Sequence, residues 1–396
     1  MKRDRRKFLG ALTAATAVVT SCDKPDVKKQ AAPSLLGGDV SPYGVRSTFE
    51  KAERAHGVVN LKTSSSRTPL DQTYGILTPS SLFFERHHAG VPLIDPAKHE
   101  LLVHGMVERE LIFTFADLKR LPSVSRIHSL ECSGNSGSEW QGSAGNVQSM
   151  CGLASCAEWT GVPLKVVLEE AGVKPGAAWA VAEGADACMM ARSIPLSKLM
   201  DDALIAYGQN GEALRPEHGY PMRLLLPGWE GNASIKWLRR LHIVDQPVAS
   251  REETAHYTDL LADGKARQYT FDLDAKSLIL RPSGGHKIEQ GFHEVTGVAW
   301  SGRGRITGVE VSADGGKTWQ KAELQEPVLP KAFTRFRLPW NWSGGEVTIQ
   351  ARCTDETGYV QPTRDELTAV RGLNSQYHYN GIKVWRIAAD GAVTNA

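Results

Sequence analysis

The heptapeptide Ser129-Leu130-Glu131-Cys132-Ser133-Gly134-Asn135 sets one cysteine after a strand-like run, Ser125 to Leu130, and before a loop of small and polar residues. Gly134, Asn135, Ser136, Gly137 and Ser138 can bring backbone N–H groups close to a bound group. A thiolate held in such a loop can be a nucleophile, a redox thiol or a metal ligand.

Two other segments carry groups of related use. Phe83-Phe84-Glu85-Arg86-His87-His88 gathers a guanidinium and two imidazoles. Adjacent histidines in an extended segment point apart, which speaks against zinc. Glu217-His218-Gly219-Tyr220-Pro221-Met222-Arg223 is followed by Pro227 to Leu238, and the pair offers His218, Arg223 and Lys236 beside a glycine-containing loop. Charge-assisted donors next to exposed backbone N–H groups suit an anionic phosphate. Nothing fixes a base or an orienting carboxylate at the spacing of a cysteine protease. Cys151 and Cys156 lack the Cys-x-x-Cys spacing of a redox pair and read as buried thiols.

The elements that must position these groups change character along the chain. From about His99 to Val244 short strands alternate with modest helices. Leu164, Val167, Leu168 and Ala171 recur at helical spacing, with Gly172 where a C-terminal cap belongs. Met222 to Leu226 reads as a buried strand between Pro221 and Pro227. After about Asp263 strict alternation takes over, as in Val347, Ile349, Ala351 and Cys353 or Thr334, Phe336, Leu338 and Trp340. Val309 and Val311 precede Asp314-Gly315-Gly316, a hairpin-type turn. Such a series predicts a β-sandwich, with the domain boundary near residues 255–275.

The 396 residues suffice for two domains, and 46 basic against 44 acidic residues leave no general nucleic-acid or anionic-membrane surface. The N-terminus, Met1 to Leu9, is basic and carries Arg5-Arg6, followed by an apolar stretch too short for a membrane span of about 20 residues. It reads as a twin-arginine export signal, which places the protein in the periplasm. Cys22 could alternatively take a lipid. Export in the folded state argues for thiols rather than disulfides among the six cysteines. No Cys-x-x-Cys-His occurs, so no haem is expected on this chain.

Taken together these segments resemble the molybdenum and dimerisation domains of the sulfite oxidase family over nearly all of residues 75–390. The resemblance runs through Phe83 to His88, Ser129 to Asn135, Gly152 to Trp159, Glu183 to Asp186, His218 to Leu238, Ala299 to Gly302 and Val311 to Trp319. It implies an α+β fold, a sulfite oxidase-type mixed α/β molybdopterin-binding domain followed by an immunoglobulin-like β-sandwich dimerisation domain. The expected divisions are an export signal over 1–30, a tether over 31–65, the catalytic domain over 66–260 and the dimerisation domain over 265–396.

The resemblance also implies that Cys132 ligates one molybdenum per chain, with the dithiolene of molybdopterin supplying the other sulfurs. Phe84, Glu85, Arg86, His87, His88, Asp186, His218, Arg223, Ser234, Ile235 and Lys236 would hold the cofactor. Arg86, His88, Trp159 and Tyr257 would join Cys132 at the substrate.

Sulfite-oxidising members carry an arginine after the Cys-x-Gly-Asn run, where this chain has Ser136-Gly137-Ser138, and an Asn where His87 stands. One cation fewer, and Glu85 beside Arg86, weaken a clamp for free sulfite. Glu85-Arg86-His87-His88 and Tyr257-Thr258-Asp259-Leu260 resemble the sulfane dehydrogenase subgroup most. That implies oxidation of a cysteine persulfide on a sulfur-carrier protein to the sulfonate level. Electrons would pass to a di-haem cytochrome c subunit, with a homodimer of this chain inside a heterotetramer. A periplasmic sulfite dehydrogenase is the same-fold alternative, and a methionine sulfoxide reductase fits less well because it lacks the sandwich. A non-catalytic sandwich module with an inert Cys132 is the alternative from another class.

Overall fold

The runs of period two are strands, arranged in six sheets across residues 40–59, 63–142, 144–261 and 263–396, which this computed structural model describes. The export signal and Cys22 lie outside the described residues. The chain divides between Lys51 and Ala52, and Ala52–Ala396 form one unit.

Strands β1 (Ala55–Val59), β2 (Ser64–Arg67) and β3 (Glu85–His87) form an antiparallel ladder. Both β1 and the start of β2 fall inside the stretch read as a tether. The serines of β2 have little strand preference of their own; pairing along both edges holds them extended.

Next come β4 (Glu100–Gly105), β5 (Leu111–Thr114), β6 (Val124–Glu131) and β7 (Ala154–Pro163). They are followed by β8 (Trp179–Gly184), β9 (Ala191–Pro195), β10 (Leu204–Gln209), β11 (Glu212–Ala213), β12 (Arg223–Leu225) and β13 (Leu238–Val244). One sheet runs β5-β4-β13-β8-β9, with β4 and β13 parallel. The other runs β11-β10-β7-β6 with β12 on β10. The predicted buried strand at 222–226 is therefore β12. The predicted helix is α1 (Leu164–Ala171), which buries all four of its periodic residues. It stops at Gly172, whose φ of +70° is open to glycine and whose N–H closes on the Leu168 carbonyl.

Beyond a short ladder of β14 (Asp259–Leu260) and β15 (Ala266–Arg267), two sheets face each other as a sandwich. The elements are β16 (Lys276–Arg281), β17 (Gly291–Trp300), β18 (Ile306–Ser312), β19 (Gln320–Lys321) and β20 (Glu323–Gln325). They continue with β21 (Thr334–Trp342), β22 (Val347–Asp355), β23 (Val384–Ile387) and β24 (Val393–Asn395). The orders are β16-β17-β21-β20 and β19-β18-β22-β23-β24. Their inward residues, among them Val298, Phe336, Val309, Ile349, Cys353 and Trp385, share one core.

That core also takes in Val147, Met150, Cys151 and Cys156 from the first domain. Burial pushes the Cys156 thiol up to about 12, as expected of an inert core thiol. The five described cysteines are all free thiols. The sandwich is thus packed against the strands that carry Cys132, and it reaches them with polar groups as well.

Candidate active site

Cys132 follows directly on β6, which pairs with β7 over eight positions from Val124 to Glu131. Its N–H donates to the Leu153 carbonyl at 2.9 Å, and Asn135 closes the turn on the Cys132 carbonyl at 2.9 Å. Beneath it Glu131 is buried and accepts from Lys276 Nζ at 2.7 Å, Asn135 Nδ2 at 2.8 Å and Trp300 Nε1 at 2.7 Å. Lys276 and Trp300 belong to the sandwich, so the second domain fixes the cysteine from below. Gly231 lies across the loop, and a β-carbon there would stand 2.7 Å from the Glu131 carbonyl oxygen. Burial raises the Cys132 thiol, while the Gly134 N–H draws it down. The free thiol is therefore protonated, and metal binding must displace that proton.

Strand β3 alternates across the site. Glu85 and His87 share one face, where His87 Nε2 meets Glu85 Oε2 at 2.7 Å. Ser66 donates to Glu85 at 2.8 Å, and Arg54 pairs with it at 3.3 Å. These contacts, the His87 hydrogen bond foremost, hold the Glu85 carboxyl down at about 2. Arg86 faces the other way and donates to the His87 carbonyl. This corrects the expectation that Glu85 offsets Arg86: its charge is matched by Arg54 on the opposite face. Lys236 braces the strand through the Arg86 carbonyl at 3.0 Å, His87 Nδ1 at 2.8 Å and the Glu217 carbonyl at 3.0 Å. Desolvation brings this amine down to about 7.

Tyr257, at φ +51°, brings its hydroxyl to 2.7 Å from His88 Nε2. Behind the ring, 5.2 Å from its centroid, sits the guanidinium of Arg192, a fully buried residue that ion-pairs with Glu253 at 3.5 Å. Glu253 also caps the short helix α2 (Arg251–Thr254), accepting from Ser250 N at 3.0 Å. Burial and the Arg86 charge push His88 down to about 4, and burial pushes the Tyr257 hydroxyl well above its usual range. Both groups are neutral at physiological pH.

Cys132, β3 and the His88–Tyr257 pair open onto one cavity. Phe84, Glu85, Arg86, His87, His88, Cys132, Asp186, His218, Arg223, Ser234, Ile235, Lys236 and Tyr257 all contribute to its wall. Trp159 does not. It is fully buried in β7, donates to the His128 carbonyl at 3.1 Å, and lies behind Phe83 and the Arg223 guanidinium. Its large ring fills the core beneath the cavity instead of meeting a substrate.

The wall fits an anionic cofactor that brings its own metal ligands. His218 turns Nε2 to the Phe83 carbonyl at 3.3 Å, so its buried Nδ1, which has no hydrogen-bond partner among the described residues, is left as an acceptor for a donor group of the cofactor. Arg223 is buried and donates only to carbonyls, those of His218 and Ser234 at 2.9 Å each and of Leu224 at 3.5 Å, with no carboxylate among the described residues to offset it. A buried cation of this kind calls for an anion. Among the described residues no group of three or more His, Cys, Asp or Glu can hold a metal, so Cys132 can offer one bond and the remainder must come with the cofactor.

Sequence reasoning missed Arg54, Arg67, Arg192 and Glu217. Arg54 and Arg67 lie in or beside a stretch whose composition reads as linker, and Arg192 sits in an unremarkable strand pattern. Only the ladder of β1 to β3 and the burial of Arg192 single them out.

Two family models cover the chain, the oxidoreductase molybdopterin binding domain over residues 88–252 and the Mo-co oxidoreductase dimerisation domain over 267–385. The chain is 32% identical to sulfite oxidase of Gallus gallus over 316 residues, 72% of this chain and 68% of that protein. It is also 32% identical to mitochondrial sulfite oxidase of Mus musculus over 341 residues, covering 79% of this chain but only 62% of the mouse protein. Among solved structures the sulfane dehydrogenase SoxCD from Paracoccus pantotrophus matches with a TM-score of 0.89 and 47% identity, covering 94% of this chain and 99% of that one.

Proposed function

Because the chain belongs to the sulfite oxidase family of molybdopterin oxidoreductases, we propose that it is the molybdenum subunit of a sulfane dehydrogenase. In this reading it oxidises the outer sulfur of a cysteine persulfide on a carrier protein to the sulfonate level. The observation that carries the reading is the 47% identity to a sulfane dehydrogenase along 94% of the chain, against 32% to the sulfite oxidases.

Molybdopterin, when bound, supplies the two-electron redox chemistry. The chain's own groups bind and orient. Cys132 gives a single thiolate, rigidly seated by Glu131 and the sandwich. Arg86 stabilises negative charge growing on sulfur-bound oxygens. Neutral His88 and the Tyr257 hydroxyl form a hydrogen-bonded pair at the cavity wall that can take up or return a proton at the hydroxyl oxygen or at Nε2. Arg223 would hold the anionic part of the cofactor and His218 Nδ1 would accept a hydrogen bond from it, while Lys236 braces β3 through the Arg86 carbonyl and His87.

The chain carries no haem-attachment motif, and the proposed electron acceptor is a separate di-haem cytochrome c subunit. The sandwich is the proposed homodimer contact within a heterotetramer, and the Arg5-Arg6 leader supports a periplasmic location by twin-arginine export. No helix among the described residues is long and apolar enough to cross a membrane.

A sulfite dehydrogenase is the second reading, favoured by the sulfite oxidase relatives. Mass spectrometry of the carrier separates the two. Incubation of persulfide-loaded carrier with the holoenzyme and oxidised cytochrome c is expected to add three oxygen atoms to the carrier arm. An unchanged carrier mass alongside rapid sulfite turnover overturns the sulfane reading.

A further inference from the structure

Arg67 ends β2, the central strand of the β1-β2-β3 ladder. Ser65 pairs with Arg86 and Ser66 with Glu85 in that ladder. Ser66 donates to Glu85, so this face belongs to Glu85 and His87. Side chains alternate along a strand, and Arg67 therefore emerges on the Arg86 face.

The backbone fixes Arg67 close to the cysteine. Thr68 N–H donates to the Gly152 carbonyl at 2.8 Å, and Cys132 N–H donates to the next carbonyl, that of Leu153, at 2.9 Å. A β-carbon on Gly152 would stand 2.8 Å from Arg67 Cβ. The Arg67 side chain is half-buried, and no described residue makes a hydrogen bond or ion pair with its guanidinium. Its charge is felt at the Cys132 sulfur and at Arg86. The other cations near the cavity have partners: Arg54 has Glu85 and Glu217, Arg192 has Glu253, and Lys236, Arg223 and Arg86 have backbone carbonyls.

A guanidinium that is half-desolvated and unpaired, beside a second guanidinium and the proposed metal thiolate, has the chemistry of an oxyanion receptor. We propose that Arg67 is a specificity-determining residue that, together with Arg86, receives the anionic sulfur–oxygen group of the substrate at the Cys132 end of the cavity. The inference rests on the reading of that cavity as a sulfur-oxidising site. It places the cation that the loop after Cys132 lacks on a different strand, one brought there by the ladder.

Inorganic sulfate serves as the probe, titrated calorimetrically into molybdenum-loaded protein at fixed ionic strength. Arg67→Gln is expected to weaken sulfate binding about tenfold, with molybdenum content unchanged, as befits loss of one charge-assisted contact. Arg67→Lys keeps the charge without the planar fork and is expected to recover most of that affinity. Arg86→Gln is the control. If Arg86→Gln weakens sulfate and neither Arg67 variant does, the assignment of Arg67 is overturned and the reading of the cavity stands. If none of the three changes sulfate affinity, the cavity is no oxyanion site and both fail. Should Arg67→Gln not load molybdenum, Arg67→Met takes its place: sulfate binding weakened about tenfold supports the assignment, and wild-type affinity overturns it.

Discussion

His88 Nε2 and the Tyr257 hydroxyl meet at 2.7 Å although 169 positions separate them in sequence. One residue arrives on the segment that follows β3 and the other in a left-handed turn after α2, and Arg192 and Glu253 hold that turn from behind. The pair is neutral, on the wall of a cavity that also carries Arg86, Arg223 and Lys236 together with Glu85, Asp186 and Glu217, and a proton relay is its proposed role.

Tyr257→Phe keeps the ring over Arg192 and removes the hydroxyl. Its kcat is expected to fall about tenfold or more, with KM little changed and molybdenum content as in wild type, since the group acts on the reacting centre rather than on binding. Stopped-flow reduction of the holoenzyme checks this, and an unaltered kcat removes the hydroxyl from the relay.

Burial together with the Arg86 charge sets His88 at about 4, below its ordinary 6.5. The imidazole is thus neutral throughout pH 5 to 8 and gains a proton only as pH falls toward 4. No limb near pH 6.5 in the kcat profile is expected to belong to His88. For folding the sign is the same: the unfolded chain binds the proton first, so the neutral folded imidazole loses stability as pH drops from 6.5 toward 4. A limb near 6.5 that vanishes in His88→Asn contradicts the assignment.

Glu131→Gln removes the charge that Lys276 faces at 2.7 Å in a buried site. Leaving a buried ammonium uncompensated costs about 3 kcal/mol, read as a lower midpoint in urea unfolding. Because Glu131 joins the sandwich to the Cys132 strand, slower molybdenum loading is expected alongside. A loss under about 1 kcal/mol shows that Lys276 finds another acid or releases its proton.

Cys132→Ser exchanges the proposed metal ligand for a hydroxyl of similar size. The fold is expected to persist, with turnover reduced at least about a hundredfold. X-ray absorption at the molybdenum edge is expected to lose one sulfur neighbour. A spectrum with the full sulfur count would place the ligand elsewhere.

Much of this arrangement was legible in the chain. Alternation at 334–340 and 347–353 gave β21 and β22, the spacing of Leu164, Val167, Leu168 and Ala171 gave α1, and the motifs around Cys132, His218 and Lys236 named most of the cavity wall. Periodicity sees a side chain's own strand, and what it missed depends on partners. The serines of β2 become a strand only through neighbours on both edges, which is why the ladder that carries Arg67 was not legible at the end of the apparent tether. Glu85 stands next to Arg86 in sequence yet on the opposite face. Trp159 shares a motif with the site and still lies wholly in the core, because β7 is buried on that side.

Steady-state cytochrome c reduction by the holoenzyme, with free sulfite compared against persulfide-loaded carrier protein, tests the central claim most directly. The account predicts rapid reduction with the loaded carrier and little with sulfite. Fast turnover of sulfite and none of the carrier would contradict it.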